Sequence, residues 1–88
     1  MNYLKTEVQA NRGDIIEVTL EGNAANVMLL NSENFANYRS GRSFKYIGGF
    51  FEKSPAIFTA PNTGKWFVIV DLGNRTGKVR AGVRVIKT

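Results

Sequence analysis

The sequence contains no cysteine and no histidine among its 88 residues. The lack of cysteine excludes disulfide bonds, thiolate metal sites and cysteine nucleophiles, and it is compatible with a reducing compartment. The lack of histidine removes the commonest general base and the commonest ligand of transition metals. The first residues also lack the basic and apolar pattern of a signal peptide, so we expect cytoplasmic residence.

Length and charge set the next limits. A chain of 88 residues is expected to form one domain, over residues 1–88, with a thin core. Residues 1–38 carry two basic and five acidic side chains, a net charge of −3, whereas residues 39–88 carry ten basic and two acidic ones, a net charge of +8. This asymmetry indicates an electropositive side and an anionic partner, although a merely solubilising surface would have the same composition.

The densest apolar run extends from Gly64 to Gly73 and contains Trp66, Phe67 and several β-branched residues. It is too short to span a membrane, and its composition favours a strand over a helix. An apolar run without alternation is typical of a strand that is buried on both faces. We therefore predict that this segment is the central strand of the fold.

The remaining segments alternate as half-buried strands do. The last strand is the clearest case, because Val79 and Val83 point one way while Arg80 and Arg84 point the other. Glycine-rich turns separate the strands, which together predict an all-β antiparallel β-sandwich, jelly-roll-like, of about seven to eight strands. The further predicted strands are 3–8, 14–20, 24–30, 43–53 (interrupted by Gly48-Gly49) and an edge strand 56–60.

Residues 32–40 form the longest break between these strands and predict one short helix or ordered loop. Ser32 is the expected N-cap, with Glu33 favourable in the first turn. Gly41 suits the left-handed residue that follows a helix, and Phe35 and Tyr38 would lie on one helix face.

The order of these motifs resembles DUF1883, a bacterial family of small domains of unknown function. The resemblance rests on Gly13-Asp14-Ile15-Ile16-Glu17-Val18, on Gly22-Asn23-Ala24-Ala25-Asn26-Val27, on residues 34–42, on Gly48-Gly49 and Ser54-Pro55, and on residues 64–73 followed by Val79-Arg80-Ala81. It implies a β-sandwich that in some proteins lies next to TIR domains, and it implies no catalytic residue. A weaker similarity to jelly-roll accessory modules of bacterial secreted proteases concerns the fold alone.

No residue pattern indicates catalysis, a metal or a cofactor. Glu17 and Glu21 would lie about 13 Å apart on one strand face, which is beyond the separation that glycosidases use. No nucleophile elbow, phosphate-binding loop or calcium-loop spacing is present. We therefore expect a protein that is not an enzyme and that needs no cofactor and no metal.

Basic and tyrosine side chains are the better candidates for function. Arginine and tyrosine together suit phosphate binding or stacking, and the final strand presents a basic face. A solvent-facing edge strand protected by charge would look the same. The candidate residues for binding an anionic partner, such as an acidic protein, are Tyr38, Arg39, Arg42, Lys45, Arg75, Lys78, Arg80 and Arg84.

Other interpretations stay open. The sheet edges could support self-association without any ligand. Nucleic acid would fit the basic face, but no RNA-recognition or helix-turn-helix motif supports it. A carbohydrate site could use the asparagines, which more often stabilise turns (Asn23, Asn26, Asn31, Asn34 and Asn37). Among the aromatic residues, Tyr38 and Tyr46 are expected to be exposed, whereas Trp66, Phe67, Phe50, Phe51 and Phe58 are expected in the core.

Overall fold

The computed structural model describes residues 3–73 and 76–88 and contains seven strands and one helix within them. The strands are β1 (Leu4–Ala10), β2 (Ile15–Gly22), β3 (Ala25–Leu30), β4 (Ile47–Phe51), β5 (Ala56–Thr59), β6 (Gly64–Asp71) and β7 (Val79–Ile86), and helix α1 (Ser32–Arg39) lies between β3 and β4. They form a four-stranded sheet in the order β1-β6-β3-β4 and a three-stranded sheet in the order β5-β2-β7, and the observed pairings are antiparallel. The predicted all-β sandwich is confirmed.

Strand β6 lies inside the four-stranded sheet, as its apolar run predicts. Trp66, Val68 and Val70 point into the main core between the two sheets. Phe67 and Ile69 point to the opposite face and belong to a second core. This strand is therefore buried on both faces because a sheet covers one side and helix α1 covers the other.

The second core makes the molecule a three-layer structure. Phe35 of α1 is buried and stacks on Phe67, with ring centroids 4.5 Å apart. Tyr3 and Tyr38 border this cluster, and Tyr38 contacts the ring of Phe44 edge-on. Phe35 and Tyr38 thus share one face of α1, as their spacing predicts.

The N-cap of helix α1 lies one residue before the predicted one. Asn31, and not Ser32, is the N-cap, because the Asn31 side chain accepts a hydrogen bond of 2.9 Å from the backbone N–H of Asn34. Ser32 is the first helical residue. Gly41 has a φ of 77° and takes the predicted left-handed conformation after the helix.

The predicted strand over residues 43–53 is shorter in the structure, where β4 covers only Ile47–Phe51. Lys45 lies before this strand because its backbone N–H donates to the Asn34 side chain of α1. The prediction that Phe50 lies in the core is wrong, since this residue is 44% exposed on an edge strand. Phe51 and Phe58 contact each other at the main core, as expected.

A buried carboxylate fastens the end of the chain to the β1–β2 turn. Asp14 accepts hydrogen bonds from the backbone N–H of Asn11 at 2.8 Å and from Lys87 Nζ at 3.0 Å. The Thr88 backbone N–H also lies 3.3 Å from the Asp14 carboxylate. The hydrogen bond from the Asn11 N–H holds the pKa of Asp14 below its usual value of 3.8, and the bond from Lys87 has the second largest effect.

We predict that this contact makes the folded state acid-sensitive. A carboxyl group whose pKa is lower in the folded state stabilises the fold above its unfolded pKa, and this stabilisation is lost as the pH falls through the folded value. The loss is expected below about pH 4. Urea unfolding at pH 7 and at about pH 2.5 should show a smaller acid-induced loss of stability for Asp14→Asn than for the wild type. Equal losses would contradict the prediction.

Candidate functional site

A cleft of about 750 Å³ lies between the starts of β1 and β7 and the end of β6. Its walls combine apolar side chains with two cations and one carboxylate. The residues that line it include Tyr3, Leu4, Asp71, Leu72, Lys78, Val79 and Arg80. The volume falls within the range of about 300–1,000 Å³ that is typical of small-molecule sites.

Asp71 is buried in the wall of this cleft. Its Oδ1 accepts hydrogen bonds from Asn26 Nδ2 at 2.9 Å and from the Gly73 backbone N–H at 3.0 Å. Its Oδ2 accepts a bond of 2.9 Å from the Tyr38 hydroxyl. Three donors from different parts of the chain therefore fix the position of this carboxylate.

The bond to Asp71 changes the expected role of Tyr38. The sequence predicts an exposed ring that is available for stacking, but the ring is half-buried between Tyr3 and Phe44. Burial raises the pKa of Tyr38 well above its usual value of 10.0, and the hydrogen bond to the Asp71 carboxylate raises it further. Tyr38 therefore holds Asp71, which lines the cleft, through a hydrogen bond. Tyr38 is not itself among the described residues that line the cleft.

Lys78 and Arg80 are the predicted site residues that the structure brings together, since both line the cleft. The Lys78 backbone is fixed, because its N–H donates to the Asn23 side chain and its carbonyl accepts from the Asn23 backbone N–H, both at 2.9 Å. Within the described part of the chain neither Lys78 nor Arg80 belongs to an ion pair. Glu21 lies opposite Arg80 in the β2–β7 register and borders a small neighbouring hollow.

Arg84 lies elsewhere, and its charge is paired. Its guanidinium is 2.9 Å from the Glu17 carboxylate, on the outer face of the three-stranded sheet. The predicted basic face of the final strand is therefore partly neutralised by the acidic residues of β2 next to it. The four-residue spacing of Glu17 and Glu21 places them opposite Arg84 and Arg80, and of these two only Glu17 forms an ion pair in the described residues.

Arg39, Arg42 and Lys45 lie in or next to the helical layer, on the other side of the four-stranded sheet. The Arg39 guanidinium lies 5.7 Å from the centre of the Phe35 ring, and Lys5 Nζ lies 5.3 Å from the same point. These residues do not share a surface with Arg84. The prediction for Arg75 lies outside the described residues.

Four of the five asparagines that suggest a carbohydrate site have side-chain hydrogen-bond partners within the fold. Asn23 binds the Lys78 backbone, Asn26 binds Asp71, and Asn31 caps the helix. Asn34 donates to the Asn31 side chain and accepts from the Lys45 backbone N–H. Their amide groups therefore stabilise turns, caps and the carboxylate of the cleft.

Sequence reasoning missed Leu4 and Asp71 as parts of a site. One feature of the sequence could have indicated Asp71, since it is a charged residue that directly follows the apolar run. Over residues 3–73 and 76–88 there is no group of three or more carboxylates placed to hold a metal ion. None of the helical structure in these residues is long and apolar enough to cross a membrane.

Comparison with known proteins gives a match to the family model described as a domain of unknown function (DUF1883), over residues 1–88. The chain belongs to the DUF1883 family. No curated protein and no solved structure matches it. For this DUF1883 domain, the description of the cleft therefore rests on its own residues.

Proposed function

We propose that this DUF1883 domain is a non-catalytic binding module that recognises an anionic partner. The binding site is the cleft, and Lys78 and Arg80 contact the anionic group. The absence of histidine and cysteine supports a role without catalysis. We also propose cytoplasmic residence, because a chain without cysteine suits a reducing compartment.

One observation carries the proposal: two cations without an ionic partner in the described residues line the same cleft. Arg84 on the same strand offers the contrast, because Glu17 already binds its guanidinium. A side chain that keeps an internal partner must give up that contact before it binds a ligand. Lys78 and Arg80 have no such ion pair to give up.

The test is fluorescence anisotropy with a labelled oligoaspartate peptide and a labelled single-stranded oligonucleotide over a salt series. We expect the double variant Lys78→Gln and Arg80→Gln to bind either polyanion roughly tenfold more weakly at low salt. The slope of log K against log salt for the oligonucleotide should fall by about one for each lost phosphate contact. The two probes also distinguish a protein partner from a nucleic acid.

Arg84→Gln is the matched control, because it removes the same charge from the same strand outside the cleft. Its affinity should stay within about twofold of the wild type. Because Arg84→Gln removes one charge and the double variant removes two, a loss of log affinity in Arg84→Gln that is half that of the double variant would show that only net charge matters. Unchanged binding in the double variant would remove Lys78 and Arg80 from the site.

Self-association without a ligand is a second candidate, favoured by exposed apolar side chains at one edge of the four-stranded sheet. Ile47 and Phe50 of the edge strand β4 are exposed, as is Tyr46 just before it. Pairing of two such edges would bury these side chains. Size-exclusion chromatography with light scattering would then show a dimer that persists at high salt. A monomer at every salt concentration would contradict this candidate.

A further inference from the structure

The cleft has an apolar side that an anion alone would leave uncovered. Leu4 pairs with Val70 in the β1–β6 register and so faces the interior of the sandwich. Its side chain is nevertheless 42% exposed where it lines the cleft. Leu72 and Val79 are half-buried beside it and pack against the main core.

The arrangement of the strands explains why this surface is open. The sheet that contains β1 has four strands, whereas the opposing sheet has three and ends at β7. At the far ends of β1 and β7, Lys87 and Thr88 are tied to Asp14 in the turn that follows β1. At the near ends, the cleft separates Leu4 from Val79.

The charges of the cleft are also arranged unevenly. Lys78 and Arg80 lie along its β7 side, whereas the Asp71 carboxylate is fixed in the wall that β6 provides. Asn26, Gly73 and Tyr38 donate to the Asp71 carboxylate, so within the described residues the charges in the cleft without a partner are those of Lys78 and Arg80. A single anionic end at Lys78 and Arg80 would match this one-sided positive charge.

We infer that the ligand of the cleft is a small amphipathic molecule with one anionic end and an apolar body. The anionic end binds Lys78 and Arg80, and the apolar body covers Leu4, Leu72 and Val79. This inference rests on the proposed function and adds the class of the ligand. The cleft volume of about 750 Å³ suits such a molecule.

The test uses three probes that separate charge from apolar contact. The first is 8-anilinonaphthalene-1-sulfonate, which has an apolar body and one sulfonate. N-phenyl-1-naphthylamine has the same body without the sulfonate, and methanesulfonate has the sulfonate without the body. We expect the first probe to bind at least tenfold more tightly than either of the others, as measured by fluorescence and, for methanesulfonate, by competition.

Two variants divide the binding energy between the two ends of the ligand. Leu4→Asn should weaken 8-anilinonaphthalene-1-sulfonate about tenfold and leave the oligoaspartate peptide unaffected. Arg80→Gln should weaken both. If Leu4→Asn has no effect while Arg80→Gln weakens both probes, the proposed function stands and the amphipathic ligand is wrong. If Arg80→Gln weakens neither probe, the proposed function fails.

Amide chemical shifts measured on the wild type test the inference even if a variant is unstable. In the folded wild type, 8-anilinonaphthalene-1-sulfonate should shift the amide signals of Leu4, Leu72 and Val79, and leave those of Glu17 and Arg84 in place. Shifts spread over the whole chain would mean binding to a loosened state, which this dye also recognises, and would overturn the inference. A second result would also overturn the inference: the protein co-sediments with phosphatidylglycerol vesicles, and the free dye shifts no amide signals. The anionic group would then belong to a membrane surface.

Discussion

Replacing Phe67 with alanine should lower the free energy of unfolding by about 3–5 kcal/mol, the usual cost of removing a buried phenylalanine ring. Phe67 is buried on the face of β6 that α1 covers, and its ring stacks on Phe35. The substitution leaves a cavity between the helix and the sheet and removes the ring stacking. A domain of this size has a total stability of about 4–13 kcal/mol, so the expected loss is a large part of it.

The helical layer should respond first. A helix of eight residues is not stable alone in water, so α1 depends on its packing against the sheet. Hydrogen exchange of the α1 amides should therefore accelerate in Phe67→Ala more than exchange in β2 and β7. Urea unfolding measures the total loss, and hydrogen exchange shows where the loss begins.

Phe50→Ala is the matched control. Phe50 projects from the same side of the same sheet, because it pairs with Asn26, whose side chain reaches Asp71 on that side. It is 44% exposed, and its replacement should cost less than about 1 kcal/mol. Similar losses for the two variants, or unchanged α1 exchange in Phe67→Ala, would contradict the second core as a source of stability.

The layer order could be predicted in part from the sequence. The run from Gly64 to Gly73 indicates a strand that is buried on both faces, and such a strand needs a cover on each side. The sequence also predicts the short helix, with Phe35 and Tyr38 on one face. What the pattern could not give is that this helix forms the second cover, since the contact between Phe35 and Phe67 joins distant segments.

Local hydrogen bonds explain where the strand pattern failed. Residues 43–46 have a strand-like composition, but the Asn34 side chain accepts the Lys45 N–H and holds this segment against the helix. Asn31 caps the helix in place of Ser32 through the same kind of short-range bond. Such bonds move the ends of helices and strands by a few residues, and the alternation of apolar and polar residues does not reveal them.

The candidate site was predictable as a set of charges but not as a surface. The sequence shows Arg80 and Arg84 as equivalent residues on one strand face. The register between β2 and β7 places a glutamate opposite each of them, but within the described residues only Arg84 forms an ion pair, with Glu17. The cleft itself depends on which strands end each sheet, and this order brings Leu4 near Val79.

Replacing Gly48 with alanine should destabilise the protein by about 2–5 kcal/mol, through backbone strain together with overpacking. Gly48 has a φ of 135°, a conformation that side-chain-bearing residues rarely adopt. A Cβ at this position would also collide with the backbone carbonyl oxygen of Val27 on β3. Since β4 is an edge strand, it can relieve the clash by moving away from β3.

Gly49→Ala is the control for this prediction, because a methyl group added at Gly49 would meet open space and its φ is not positive. It should change the stability by less than about 1 kcal/mol. Thermal and urea unfolding of both variants measure the difference, and hydrogen exchange should show early loss of protection in β4 of Gly48→Ala alone. Equal stability of the two variants would contradict the close approach of β4 to β3. The glycine pair in the sequence predicts a bulge, a corner or a split into two strands. The expected result would show that only Gly48 of this pair must be glycine.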